Sequence, residues 1–434
     1  MIFSYKNEIF LFVLVSCNIC SPNESDINIY AGMNYDVGFN SNVINNGVNK
    51  FESEKKEFYQ ELTKSINSIT HANCHVYLYC RRNTIFYSAI SWLYVLEKWD
   101  LFKYDCKVVF IGEKGSDDGG LTREYLTLAI QKIYTRENAI LYSPSGDTSK
   151  FIPLKISTNL DTKEKYIRRL AYKTLGFLIG LILRKSVTAE VRLDPIMWKI
   201  ILEKDIFMDD LKNVDKSFSR ALMDLNINLN HLKEMDLRFE DEEGNELMPN
   251  GKNIIVDETN VDEYIYLCLY DKYILKIREE CDLIKEGIYK IIPKETLQKL
   301  SCDSLQKIIA GEPYIDIEDW RRNTIYHEGY DEHSLQIVAF WNVVESYTQE
   351  EKSKLLYFLT GSTRPPMGGF KHLRGKDSIT QFKISPIPSY NDTKLPWTSS
   401  CYNNLHLPLY STEEILREKL KKAVEFCGNE FEFS

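Results

Sequence analysis

Apolar residues first recur at a steady period from about residue 51, where the spacing predicts a helix over about 52–68. Two compact runs follow, HVYLYC and KVVFIG (107–112), and both read as strands, the second buried. KVVFIG ends in EKGSDDGG, a turn with three glycines and two candidate N-caps, Asp117 and Asp118. A helix should start directly after it, because Leu121, Tyr125, Leu128, Ala129 and Ile133 fall at the spacing of one buried face. The helix expected over 164–185 carries Ala171, Gly176 and Gly180 among large side chains, which predicts close approach of another element. Between 205 and 310, acidic turns such as RFEDEEGNELMPNG alternate with amphipathic stretches, the pattern of a smaller helical subdomain.

The last hundred or so residues are sharply punctuated. A helix is expected over about Ser334–Tyr347, and Thr348-Gln349-Glu350-Glu351 supplies a capping box for the next, which ends at Gly361. A strand at QFKI (381–384), a loop over Pro386–Pro396, one continuous strand through WTSSCYNNLHL and a final helix capped by Ser411-Thr412-Glu413-Glu414 complete the unit. In that helix Leu416, Leu420, Val424 and Cys427 share one face.

Composition narrows the classes. A chain of 434 residues has room for two or three domains. With 54 basic against 63 acidic residues and no basic run, it is not expected to bind nucleic acid. Eight asparagines within residues 21–50 mark a linker, since such a stretch buries too little to offset backbone ordering. Residues 1–20 hold a short apolar core, Ile9–Val15, which reads either as a secretory signal or as a first element packed on the body; no stable membrane span is expected from it or from LGFLIGLIL (175–183). The ten cysteines have no repeating spacing and read as reduced, mostly buried thiols. Cys17 and Cys20 form a CxxC, and His71, Cys74, His75 and Cys80 lie close together, but no second pair stands at zinc spacing, so neither metal nor cofactor is expected.

Cys401 differs from the other thiols. It follows Thr398, Ser399 and Ser400 and precedes two asparagines, outside any apolar pattern and near a strand end, where functional groups concentrate. A cysteine hydrolase needs a histidine beside its thiol to protonate an amine leaving group. Residues 394–405 contain none, and His372 and His406 read as surface residues. Exchange between thioesters asks less, because the leaving group is itself a thiolate. The local chemistry therefore leans toward acyl transfer between thiols.

Several segments, in order, resemble the HECT family of ubiquitin-protein ligases. GEKGSDDGGLTREY (112–125) resembles the family's Gly-Glu-x-Gly-x-Asp-x-Gly-Gly-Leu-x-Arg-Glu signature, and MPNGKNIIVDETNVDEYI with EGIYKIIP resembles its middle segment. WRRNTIYHEGY through STRPPMGGF resembles the passage into the C-terminal lobe, and LPWTSSCYNNLHLPLY resembles the active-site segment, so the likeness covers about residues 75–434. It implies an α+β bilobed fold: a larger, mostly helical N-lobe over 75–328 with a small conjugating-enzyme-binding subdomain over about 205–300, then an α/β C-lobe over 329–434. Residues 21–74 would form a linker and an N-terminal helix. A hinge is expected near Tyr326–Tyr330, where Glu328-Gly329-Tyr330 resembles the family's glycine-rich turn.

By the same resemblance Cys401 is the residue that takes ubiquitin from a ubiquitin-conjugating enzyme as a thioester and passes it to a substrate lysine. Ser400 keeps the hydroxyl that precedes the family's cysteine, whereas Ser399 stands where many members have histidine. Phe431 falls on the tail phenylalanine that positions the C-lobe, and Glu430 or Glu432 would assist the lysine's proton loss. Ile284, Ile288 and Tyr289 are expected to contact the conjugating enzyme. The implied partners are that enzyme, ubiquitin and a protein substrate, in the cytoplasm unless the N-terminal segment directs export. Two other readings stay open, a pseudo-ligase that binds without turnover and a cysteine hydrolase.

Overall fold

The computed structural model describes residues 13–16, 45–67, 75–97, 101–113, 119–135, 140–227, 232, 234–327, 329–375, 378–390 and 392–429. The CxxC at Cys17 and Cys20, most of the Asn-rich stretch, His71, Cys74, Asp117, Asp118, Glu430, Phe431 and Glu432 lie outside them. Among the described residues, no helix is long and apolar enough to cross a membrane.

Helices and small sheets gather around two separate hydrophobic cores, an α+β arrangement; the first core runs from Phe51 to Ile309 and the second from Ile315 to Leu420. In the first body, strands β1 (Val13–Ser16), β2 (His75–Cys80) and β3 (Asp105–Phe110) form one sheet in that order, β1 antiparallel and β3 parallel to β2. Both β2 and β3 alternate half-buried with buried residues, so each turns one face to the core. Helix α1 (Asn45–Asn67) begins earlier than periodicity suggested, and α2 (Ile85–Leu96) lies beside α3 (Gly120–Ile133). The cap of α3 is Gly119, in the left-handed region at φ 97°, rather than either aspartate.

Helix α4 (Thr162–Lys185) opens with a capping box of Asp161 and Glu164 and is the spine of this body. Small residues predicted a close neighbour for it, and the neighbour lies about a hundred positions on. After α5 (Lys216–Ile227) and α6 (Val261–Tyr270), helix α7 (Arg278–Tyr289) runs against α4 with backbone nearly touching backbone. A Cβ on Gly176 would fall on the carbonyl of Ile284, and one on Gly287 would fall on the carbonyl of Lys173. That contact corrects the expected docking residues. Ile284 and Ile288 are fully buried in the α4–α7 seam and present no surface to another protein, whereas Tyr289 is partly exposed with its hydroxyl buried. The apolar face was legible; the helix that covers it was not.

The chain leaves the first core after α8 (Cys302–Ala310), where Gly311 takes φ 68°. Helix α9 (Ile317–Arg322) and strand β4 (Thr324–Tyr326) already belong to the second body, because Trp320 is fully buried there, stacked on Phe370 at 4.7 Å, and β4 pairs with a strand of its sheet. The two hydrophobic cores thus divide between Ile309 and Ile315, upstream of the boundary expected at 328–329. Past β4, His327 N–H donates to Ile384 O, Gly329 takes φ 93° and Tyr330 N–H donates to His327 O; Glu328 lies outside the described residues.

In the second body α10 (Leu335–Glu345) and α11 (Gln349–Thr360) pack on a four-stranded sheet. The capping box of Thr348 and Glu351 and the stop at Gly361, φ 78°, are as the punctuation predicted. Strand β5 (Phe382–Tyr390) runs on through part of the expected loop, followed by β6 (Trp397–Ser399), β7 (Asn404–Leu409) and α12 (Glu413–Asn429). The order is β4-β5-β7-β6, parallel except for the last pair.

Candidate active site

A single strand was expected through residues 397–407, but β6 and β7 form an antiparallel hairpin whose turn, Ser400–Tyr402, holds Cys401 at its centre. The reversal is made at Asn403, which takes φ 50°, a conformation asparagine tolerates better than most residues. Its fully buried side chain donates to Arg374 O at 2.9 Å and Thr380 O at 2.7 Å, tying the turn to the preceding loop. On the other side of the turn Thr398 Oγ1 donates to Phe358 O on α11. Leu405 and Leu407 anchor β7 in the core.

Among the described thiols Cys80, Cys106 and Cys281 are buried, and Cys268, Cys302 and Cys401 are partly buried. Cys106 and Cys268 are pushed up to about 11 and Cys281 to about 12, while Cys80 and Cys302 are also raised, all chiefly because burial disfavours the thiolate. Cys401 is half-buried at the surface of its own body. Its Sγ accepts a hydrogen bond from Gly120 N–H at 3.3 Å, so the first turn of α3, from the other body, lies directly against it.

That contact is supported by a buried arginine. Arg123, one turn along α3 and only 7% exposed, donates to Arg374 O at 2.5 Å, Gly375 O at 3.2 Å and Ser400 O at 2.5 Å. Thr127 continues the same face by donating to Gly361 O at 2.9 Å. Ser400 points toward Gly120: a Cβ built there would stand 2.5 Å from Ser400 Oγ and 2.7 Å from Cys401 Sγ. Arg123 and Gly120 lie inside the signature segment, but they carry no role in the sequence reading. The signal was the glycine pair ahead of a helix, which marks close backbone approach as well as a turn.

The two histidines nearest in sequence have other surroundings. His406 stacks on half-exposed Trp397 at 3.6 Å, and its Nε2 lies 3.1 Å from Asn404 Nδ2 and 3.4 Å from Ser399 Oγ. It thus touches the residue that replaces the family's histidine. Burial, with Lys55 and Lys371 nearby, lowers His372 to about 4. Between pH 6.5 and 4 the unfolded imidazole binds a proton that the folded one refuses, so acid weakens folding across that window. His372→Gln should flatten the fall in denaturant midpoint between pH 6.5 and 4, and an unchanged slope would remove His372 from the account.

A cleft of about 890 Å³ opens between the bodies, lined by Leu128 and Lys132 of α3, by Ile315, by Tyr357 of α11 and by Val424 and Glu425 near the end of α12.

Comparison with known proteins adds the following. Residues 127–434 match the profile of the HECT-domain (ubiquitin-transferase) family. The chain is 30% identical over 399 residues to the E3 ubiquitin-protein ligase TOM1-like of Neurospora crassa, covering 90% of this chain and 10% of that protein. It is 30% identical over 388 residues to mouse E3 ubiquitin-protein ligase HUWE1, covering 88% and 9%. It is 31% identical over 359 residues to E3 ubiquitin-protein ligase pub1 of Schizosaccharomyces pombe, covering 81% and 45%. The chain thus spans about a tenth of the length of the first two relatives and under half of the third.

Proposed function

Since the chain belongs to the HECT family, we propose that it accepts ubiquitin from a ubiquitin-conjugating enzyme as a thioester on Cys401 and transfers it to a substrate lysine. One observation carries the reading. Among the described thiols Cys401 alone sits in a strand-to-strand turn, with its Sγ against the Gly120 N–H. In loading, the Cys401 sulfur attacks the donor thioester carbonyl; a new C–S bond forms, the old one breaks, and the donor leaves as thiolate. In release, the lysine nitrogen attacks, a C–N bond forms, the electrons of the broken C–S bond return to Cys401, and the ammonium proton passes to solvent.

The first body corresponds to the N-lobe and the second to the C-lobe in this reading. The conjugating enzyme docks on the segment 205–300, through exposed apolar side chains such as Phe207, Ile227 and Ile255 instead of the buried Ile284 and Ile288. Phe431 falls on the tail phenylalanine that in the family positions the C-lobe for the second step. The setting is the cytosol, where ubiquitin and its activating enzyme act.

The test is a loading assay with activating enzyme, charged conjugating enzyme and ubiquitin. The reading predicts a reductant-sensitive ubiquitin adduct on this chain, followed by lysine-linked product. Binding of the charged enzyme with no adduct would make the chain a scaffold instead, and release of ubiquitin from finished conjugates would make it a hydrolase.

A further inference from the structure

We propose that Arg123 and Gly120 of α3 form a seat that holds the Cys401 turn for release of ubiquitin to lysine, and that they take no part in loading; this rests on Cys401 being the thioester site. The three acceptors of Arg123 given above are backbone carbonyls of the opposite body, two in the loop before β5 and one immediately before Cys401. The arginine therefore fixes the path of the chain rather than any side chain. Arg374 O also accepts from Asn403, so one carbonyl links α3 to the residue that reverses the hairpin. A fork of donors, always charged, suits this better than a lysine.

Gly120 makes the approach possible. With its Cβ position already occupied by Ser400 Oγ and Cys401 Sγ, any other residue at 120 holds the turn away. Removing positional freedom from the thioester keeps its carbonyl where an amine can attack. As the C–S bond breaks, Sγ gains charge while it accepts the Gly120 N–H, so the same contact favours the leaving thiolate.

The seat suits one half-reaction only. Loading needs a second folded protein to bring its own cysteine flush with Sγ, and in the seated state α3 closes that side. A lysine asks for no more than a narrow approach, because its amine sits at the end of a slim four-carbon stem. Loading thus takes place with the turn withdrawn, and release follows its return to the seat. Arg123 is a positioning residue in this scheme.

A single-turnover experiment on the full chain separates the steps. The protein is loaded from charged conjugating enzyme, the activating enzyme is stopped, and free lysine is added. Arg123→Ala and Gly120→Ala should load within about twofold of the parent yet discharge slower by on the order of 100-fold, the scale of a misplaced reacting group. Gly120→Ala guards against simple misfolding, since alanine favours a helix more than glycine does. Discharge at the parent rate in Gly120→Ala, or equal loss of loading and discharge in both variants, would overturn the proposal. A parent chain that fails to load would instead sink the assignment of Cys401.

Discussion

Cys401→Ser should abolish measurable lysine ubiquitination and convert the reductant-labile adduct into one that resists thiols and breaks only in alkali. A serine oxygen in the same turn keeps the geometry of the hairpin but forms an oxyester, whose leaving group is an alkoxide rather than a thiolate. Loading becomes slow, and release to an amine nearly stops. Cys401→Ala, with no nucleophile, should give no adduct at all. In both variants turnover should fall by at least on the order of 1000-fold, the scale expected when an enzyme loses the group through which it works. Neither change should unfold the protein, because Cys401 is half-buried in a turn and contributes little to the second core. Gel separation with and without reductant, after quenching in acid, reads both outcomes. An adduct that stays reductant-labile in Cys401→Ala would move the thioester to another cysteine.

The second large effect belongs to stability. Trp320→Ala should cost about 3–5 kcal/mol, the range for removing a large buried aromatic side chain. Trp320 is fully buried, its ring stacks on Phe370 at 4.7 Å and 9°, and Trp341 and Phe382 meet it edge-on at 6.0 and 5.6 Å. Phe370 and Phe382 bracket the loop whose Arg374 and Gly375 carbonyls meet Arg123, so the loss should reach the Cys401 site as well. The same variant tests where the bodies divide. Trp320 lies before the hinge that the sequence suggested at Tyr326–Tyr330, yet its loss should unfold the second body and leave the first intact. Denaturant unfolding followed by tryptophan fluorescence and by circular dichroism would show this as a lowered midpoint for one of two transitions. A shift confined to the first body would restore the later boundary.

Local signals in the chain were read well where the physics is local. The capping box at Thr348 and Glu351 and the stop at Gly361 involve neighbours in sequence, and both stand as expected. Gly176 and Gly180 foretold a close helix contact because small residues in an apolar helix have few other uses. Their neighbours, Ile284, Ile288 and Ile291, are over a hundred positions away, and nothing in a periodic pattern says which apolar face will be covered. Ile284 and Ile288 were misassigned for that reason, their spacing being equally that of a docking face and of a core face.

The site divided in the same way. Cys401 stood out by its polar neighbours, and the resemblance gave it a role. The hairpin around it was missed because its reversal depends on one asparagine at φ 50°, in a stretch with alternation enough to pass for a single strand. Arg123 was invisible as a site residue, since its partners are backbone carbonyls more than 250 positions on, which leave no trace in side-chain chemistry.

The central claim is that ubiquitin is carried on Cys401. Its most direct test is to trap the loaded chain in acid without reductant, digest it and map the attached ubiquitin remnant by mass spectrometry. The account predicts the ubiquitin C-terminal glycine on the peptide that contains Cys401, lost on treatment with thiol before digestion. A remnant found only on a lysine or on another cysteine, with the Cys401 peptide unmodified, would contradict it.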